Sequence, residues 1–559
     1  MWLRFLISSA LMLPLLAGLA GVILPASGYM PVLGLYEVSF ASFQLLFTQP
    51  GIIKSLLMSL YTGLIATSIS YCLAMGLLVC LYQQKQNSWL FRFISPLLSV
   101  PHVTVAVGFL FLFQPSGWLF RLISPYLTGW QRPPVLNIVP DEYGIMLIIG
   151  LVAKELPFFV LMALSHLSQM KSRQLLNTSS TLGYGQFSRW FYTVQPLLAR
   201  RLSLVVMIVL VFSVSVVDMA LVLAPSTPPF LAVRILNWFN DPDLSMRPLA
   251  SAAALVQIGV MLCAALLWFS GRLIIGRCFL FMLRRGWRLS VPASAGAVLK
   301  AGVLVLCLLP VMLAVGGLMS SVVWAFADIW RFPSALPDQW GIKGWTVNAD
   351  LLLMVSLNTA CLGIVASGLS VIMAILWLES PSEATGPGRR LGYVIYAPLL
   401  IPQPAFLFGL QVMLILLGGD GQTAALLWAH CLFVFPYVML SLSSSWREWD
   451  RAYDDCGAVL GASYFRRLVR VKLVMLMIPI LTSFAVGFAV SAALYLPTVF
   501  VGNGRFLTLT TEAVVLASGA GRQPLGAASV LQMLMPLIMF LSCAALAKSR
   551  LGRFGYFKL

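Results

Sequence analysis

Apolar runs about twenty residues long, enough to cross a bilayer as a helix, follow one another along this chain with short polar loops between them. About twelve can be placed on that length, at 5–25, 53–81, 93–113, 145–167, 202–223, 249–269, 303–323, 351–378, 393–417, 424–442, 476–496 and 527–546. Only 10% of the residues are charged, against about 25% in a soluble domain. The expected fold is all-α: a polytopic membrane protein with the lipid bilayer as its solvent. The net charge of +18 does not point to nucleic acid, because Lys and Arg sit in short loops between apolar segments, as cytoplasmic loops do. Placing the N-terminus inside puts most of them in the cytoplasm, together with the C-terminal tail. Residues 1–28 carry Arg4, an apolar core and then small residues, and read as an uncleaved signal anchor. Nine cysteines without a CxxC pair and three scattered histidines, His102, His166 and His430, indicate neither a disulfide framework nor a metal site.

Two loops look like one loop written twice. The first runs from Asn177 to Pro196, the second from Asp455 to Val474. Each has small residues before a glycine (Gly183, Gly461), then a basic and aromatic run, then a segment feeding the next span. Other short matches keep the same order: 96–101 with 398–402, 59–62 with 356–359, and 155–161 with 434–440. The expected organisation is a first half over 1–270, a basic cytoplasmic linker over 271–293 and a second half over 294–559. The copies share orientation, so a pseudo-two-fold axis along the membrane normal should relate them.

Each loop reads as a short helix, a glycine break and a second short helix, since glycine permits the positive φ of a tight reversal. Thr178, Ser179 and Ser180, like Cys456, Gly457 and Ala458, let another surface approach closely. Arg189, Arg466, Arg467 and Arg470 with Trp190, Phe191 and Phe465 form a basic amphipathic face. One such face alone could anchor on lipid phosphates; its recurrence at matched positions favours docking of a protein.

These residues resemble a known motif. E-A-A, three residues, Gly, nine residues and I-x-L-P mark the inner-membrane permease subunits of ABC-type importers. Asp455-Cys456-Gly457 stands in the E-A-A slot before Gly461, and 471–474 closes the second copy; Asn177-Thr178-Ser179 precedes Gly183, and Thr193 to Pro196 closes the first. The first copy lacks the acidic residue, and the second has Asp for Glu and Val for Pro. Over essentially the whole chain the pattern is similar to the fused double permeases of the ferric-iron and thiamine uptake group. That resemblance implies coupling loops near 174–201 and 450–475 seated on two cytoplasmic ATP-binding cassette subunits. It also implies an external solute-binding protein, a place in the bacterial inner membrane, and iron(III), thiamine or a similar small solute as cargo. The chain has no GxxxxGK[ST] motif, so ATP is expected on the partners and no cofactor on this chain.

Ionisable groups inside spans are functional suspects: Lys154 and Glu155 in the fourth, Asp218 in the fifth. Lys154 and Glu155 are adjacent and point about 100° apart on a helix, so the expected pair is Lys154 with Asp218. Two readings stand, a structural clamp with a break at Pro157 or a lining of the translocation path. Outside, 225–230 and 496–511 look partly re-entrant, and Asp241, Asp243, Arg234 and Arg505 read as solvated loop charge or contacts to a delivery protein. A twelve-span secondary transporter is the rival, though 82–91 lacks the Gly-x-x-x-Asp-Arg-type signature of the major facilitators. A membrane enzyme is disfavoured by dispersed acidic residues.

Overall fold

The computed structural model describes residues 2–82, 97–286, 293–380, 392, 394–519 and 521–553. The loop expected at 82–91 and the last residues of the linker lie mostly or wholly outside these. The described chain is almost entirely helical. Its strands are one short antiparallel pair, Ala327–Ile329 with Gln339–Trp340.

The helices of the first part of the chain that recur in the second are α1 Trp2–Ala26, α2 Ile52–Leu81, α3 His102–Phe113, α4 Ile145–Ser168, α5 Ser172–Thr181, α6 Ser203–Ser215, α7 Asp218–Leu223, α8 Leu231–Phe239 and α9 Met246–Arg284. Their counterparts follow in the same sequence of long and short: α10 Ala293–Ala325, α11 Ala349–Glu379, α12 Pro404–Leu416, α13 Thr423–Arg447, α14 Ala452–Val459, α15 Met477–Ala493, α16 Leu496–Gly502, α17 Leu509–Ala517 and α18 Arg522–Arg553. From Gln186 to Phe239 the starts of short elements recur 278 positions later: Gln186 and Tyr464, Trp190 and Leu468, Asp218 and Leu496, Leu231 and Leu509.

Nine helices are long and apolar enough to cross a membrane among the described residues, and up to eleven if each of two bent pairs counts as one span. The expected run at 393–417 is shorter than a span, because Pro402 separates the one-turn helix Ala397–Leu400 from the 13 residues of α12. The fifth span of each group is also interrupted, α6 ending at Ser215 and α15 at Ala493. Conversely, α9 continues to Arg284 as one helix of 39 residues, so the first part of the linker is helix.

Packing interlocks the two groups. α2 packs on α4 and α6, and α11 on α13 and α15, but α1 lies on α12 and α10 lies on α3. Both crossings are made on glycine. A Cβ on Gly21 would sit 2.6 Å from the Gly409 Cα, and one on Gly108 would sit 2.7 Å from the Gly317 carbonyl carbon. Lipid tails are as apolar as leucine, so close backbone approach at small residues is what holds membrane helices together. At the N-terminal end of α1, the Arg4 Nε donates to Trp377 O at 3.1 Å and its Nη2 to Ser380 O at 2.6 Å. It thereby satisfies carbonyls that the C-terminus of α11 leaves unpaired.

The short helices α8 and α17 dip back between spans. Their first N–H groups find hydroxyls on the second span of their own group. Leu231 N–H donates to Ser59 Oγ at 3.3 Å, and Leu509 N–H to Thr359 Oγ1 at 2.9 Å. Hydrocarbon offers no water to these donors, so a neighbouring helix must supply the acceptor.

Candidate functional site

Four helix interruptions meet at the centre of the molecule around a cavity of about 200 Å³. Its wall includes Val100, Pro101 and His102 at the start of α3, Val217 and Asp218 at the start of α7, Ile401 and Gln403 before α12, and Tyr495 between α15 and α16. The lining is mostly apolar. Lys154, Glu155 and Asp218, the three ionisable groups picked from the sequence, all line it.

Their partners differ from expectation. Lys154 Nζ donates to the carbonyls of Leu97 at 3.0 Å, Leu98 at 2.9 Å and Val100. Pro101 ends the helical ladder there, and the stranded carbonyls are electron-rich acceptors that a buried ammonium can satisfy. The expected Lys154–Asp218 pair is not among the ion pairs of the described residues. Instead Glu155 Oε1 meets His102 Nε2 at 3.3 Å, and Asp218 Oδ1 accepts the Met219 N–H at 2.9 Å where α7 begins. The sequence offers His102 only as one of three scattered histidines, with no partner near it in the chain. The signal was present: His102 and Gln403 each follow the proline of a repeated motif.

The second group has a different polar clamp. Buried His430 on α13 bonds Ser491 Oγ through Nδ1 at 2.8 Å and Thr498 Oγ1 through Nε2 at 3.1 Å, tying α15 to α16 across their break. No charge in the span accompanies it, so a search for buried charges overlooks it.

At the end of the molecule where Arg4 lies, the two repeated loops form elbows. Gly183 has φ +79° and Gly461 φ +77°, the left-handed conformation that ends a helix at low cost only for glycine. Their N–H groups close the preceding turn onto Ser180 O at 3.0 Å and Ala458 O at 2.9 Å. After the glycine each chain forms one helical turn, a five-residue π turn and another short helix: Gln186–Arg189, Trp190–Val194, Gln195–Arg201 in the first; Tyr464–Arg467, Leu468–Lys472, Leu473–Met475 in the second. The short helices meet the spans that follow at 62° and 73°.

Asn177, Thr178, Gly183 and Pro196 are exposed, Arg189 is half-buried, and Ser179 is buried with its hydroxyl on Leu175 O at 2.9 Å. In the second elbow Asp455, Cys456, Gly461 and Arg466 are exposed and Gly457 is half-buried. Arg467 Nε pairs with Asp454 Oδ1 at 3.0 Å and its Nη1 donates to Ala462 O at 2.7 Å. The Arg467 side chain lies so close to Gly457 that a Cβ there would meet its Cδ at 2.9 Å. The neighbouring acid Asp454, rather than Asp455 in the motif slot, closes this elbow.

At the opposite end, 225–230 and 496–511 lead into α8 and α17. Arg234 is not a loop charge: it is buried on α8, its guanidinium 4.7 Å from the Trp238 ring. Asp243 and Arg505 are exposed. The Ser245 hydroxyl and N–H, at 2.7 and 2.9 Å, hold the Asp243 carboxyl below the usual carboxylate range.

No family model matches the chain. Over 512 residues it is 30% identical to the inner membrane ABC transporter permease protein YnjC of Escherichia coli (strain K12), an alignment covering 91% of each chain.

Proposed function

The chain belongs to the family of inner-membrane ABC transporter permeases, and from that premise we propose that it supplies both membrane halves of an ATP-driven importer. It is a multi-pass permease subunit, a transport protein rather than an enzyme, and it works with ATP-binding cassette partners. In our reading, 1–270 and 294–559 are two like-oriented halves joined by the linker 271–293. Two ATP-binding subunits seat on the elbows near 174–201 and 450–475 from the cytoplasm, where both termini also lie. A periplasmic solute-binding protein delivers a small solute, iron(III), thiamine or similar, to the other end, and the central cavity is part of its path. ATP is used on the partner subunits.

One observation carries this reading: two elbows of the same build, 278 positions apart at Gly183 and Gly461, at the roots of the two interrupted spans that bound the cavity. Closure of two motor subunits would draw the elbows together. Because each elbow is continuous with α6 or α15, that movement turns the spans lining the cavity. The four interruptions favour such motion, since a broken span can pivot where a continuous helix resists bending. Lys154 holds the break before α3 in shape, while Glu155, His102 and Asp218 give the path its polar groups.

The test is reconstitution. The purified chain, combined with cognate ATP-binding and solute-binding proteins, should take up solute in vesicles only when ATP is supplied on the elbow side. Uptake by the chain alone, driven by an ion gradient, would overturn the reading.

A further inference from the structure

The last residue of α11 is where the second elbow is fastened. Glu379 Oε2 pairs with Lys472 Nζ at 2.7 Å, and its Oε1 accepts the Tyr464 hydroxyl at 2.8 Å. Tyr464 opens the helical turn after Gly461, and Lys472 closes the π turn that follows. One carboxylate thus grips both ends of that segment. Lys472 also lies 4.6 Å from the centroid of the Trp446 ring at the end of α13. The Lys472 and Glu379 side chains are only 16% and 18% exposed, so water and salt screen them less than an ordinary surface pair.

The corresponding place in the first half is Tyr82. Ser59 and Thr62 on α2 match Ser356 and Thr359 on α11 at a spacing of 297, and the same spacing carries Tyr82 to Glu379. Tyr82 does the same job with different chemistry. Its hydroxyl lies 2.8 Å from Ser172 Oγ at the start of α5, and its ring packs edge-on against Trp190 at 5.8 Å. Trp190, 2% exposed, opens the first π turn. In both halves the cytoplasmic-side end of the second span therefore touches its own elbow at the π turn.

We propose that Glu379 is a positioning residue for energy coupling: with Lys472 and Tyr464 it pins the second elbow to the end of α11, so that the elbow's displacement is delivered to that span as well as to α15. Tyr82 pins the first elbow to α2 in the same way. The inference deepens the reading of the elbows as motor-docking loops and rests on it. Arg4 grips the same end of α11 through the Trp377 and Ser380 carbonyls, so a pull on Glu379 also reaches α1, which lies on α12 beside the cavity.

Native cysteines provide the test. Cys72 on α2 and Cys361 on α11 are exposed and free, and Cys456 is exposed on the second elbow. In the complex with its ATP-binding subunits, spin labels at Cys72 and Cys361, with the other exposed cysteines replaced by serine, should change separation on ATP addition. Glu379→Gln should keep ATP hydrolysis at its ordinary rate yet shrink that change, because only α2 then remains pinned to its elbow. In the permease without partners, a label at Cys456 should gain mobile population roughly fivefold in Glu379→Gln and in Lys472→Met, while a label at Thr178→Cys stays as it was. The double exchange Glu379→Lys with Lys472→Glu should restore both readings. An unchanged Cys456 label in both single variants, or a normal ATP-driven movement of Cys72 and Cys361 in Glu379→Gln, would overturn the proposal. The Cys456 reading needs no motor, so failure of ATP-binding subunits to co-purify would sink the docking reading while leaving the pin measured.

Discussion

The two elbows share a backbone and differ in what holds them. The first is set into the bundle by aromatic packing: Trp190 is buried, its Nε1 donates to Gln195 Oε1 at 3.1 Å, and Gln195 Nε2 reaches Tyr71 OH at 2.9 Å. Phe191 stacks on Phe279 of the extended α9 at 5.9 Å. The second has no buried residue on α14, the turn Tyr464–Arg467 or the π turn after it. It is held by Glu379, Lys472, Asp454 and Arg467, and it leaves Val459, Leu460 and Phe465 exposed. The glycine conformation fixes the shape of an elbow, and side-chain chemistry then decides how firmly that shape is attached. An apolar attachment ignores salt, whereas an ionic one responds to it.

The largest effect should come from the feature the elbows have in common. Proline needs φ near −65°, so Gly183→Pro and Gly461→Pro each break the reversal. We expect solute uptake per ATP hydrolysed to fall roughly 5- to 150-fold with membrane insertion intact, measured as paired uptake and phosphate release in vesicles. Equal loss from both variants would mean that both elbows transmit; loss from one alone would assign coupling to that elbow.

Next comes a change that should separate them. Trp190→Ala removes a buried aromatic side chain and should cost about 3–5 kcal/mol locally, read as faster amide exchange over 186–194. Phe465→Ala, at the exposed second elbow, should leave exchange over 464–472 unchanged. Reversal at Arg466 and Arg467 to Glu should then weaken retention of the ATP-binding subunits on affinity purification, without altering insertion. Retention at the level of the native protein would remove those arginines from the docking face. The smallest expected effect is Arg467→Ala. It loses a part-exposed pair with Asp454 that contributes about 0.2–1 kcal/mol, and about 1 M salt, where the screening length is near 3 Å, should mimic it in the second elbow and not in the first.

The elbows were legible in the sequence because a positive-φ glycine flanked by small residues leaves a local signature, and because it occurs twice. The apolar runs were legible for the same reason: spanning length is a local property. The interruptions were harder. The repeated proline motifs at 96–101 and 398–402 signalled repetition, yet their physical meaning was a broken helix whose carbonyls need donors. Sequence displays charges and hides backbone acceptors, so it offers Asp218 as the partner of Lys154, where three carbonyls hold the ammonium instead. A proline-rich stretch precedes Arg234, so the sequence alone reads as a charged loop there, and nothing local says that the chain folds back between spans. The contact of Gly21 with Gly409 was equally hidden, since it joins residues hundreds of positions apart.

That crossing bears on how the protein is made. Gly409 leaves the ribosome 388 positions after Gly21, and at roughly 5–20 residues per second the delay is roughly 20–80 s. Throughout it, the opening helix sits in lipid without the neighbour it is shaped to meet, and the helices made first cannot complete their assembly. Severing the polypeptide between α9 and α10 should therefore give two fragments that mature only when synthesised together, since α1 belongs against α12 and α10 against α3.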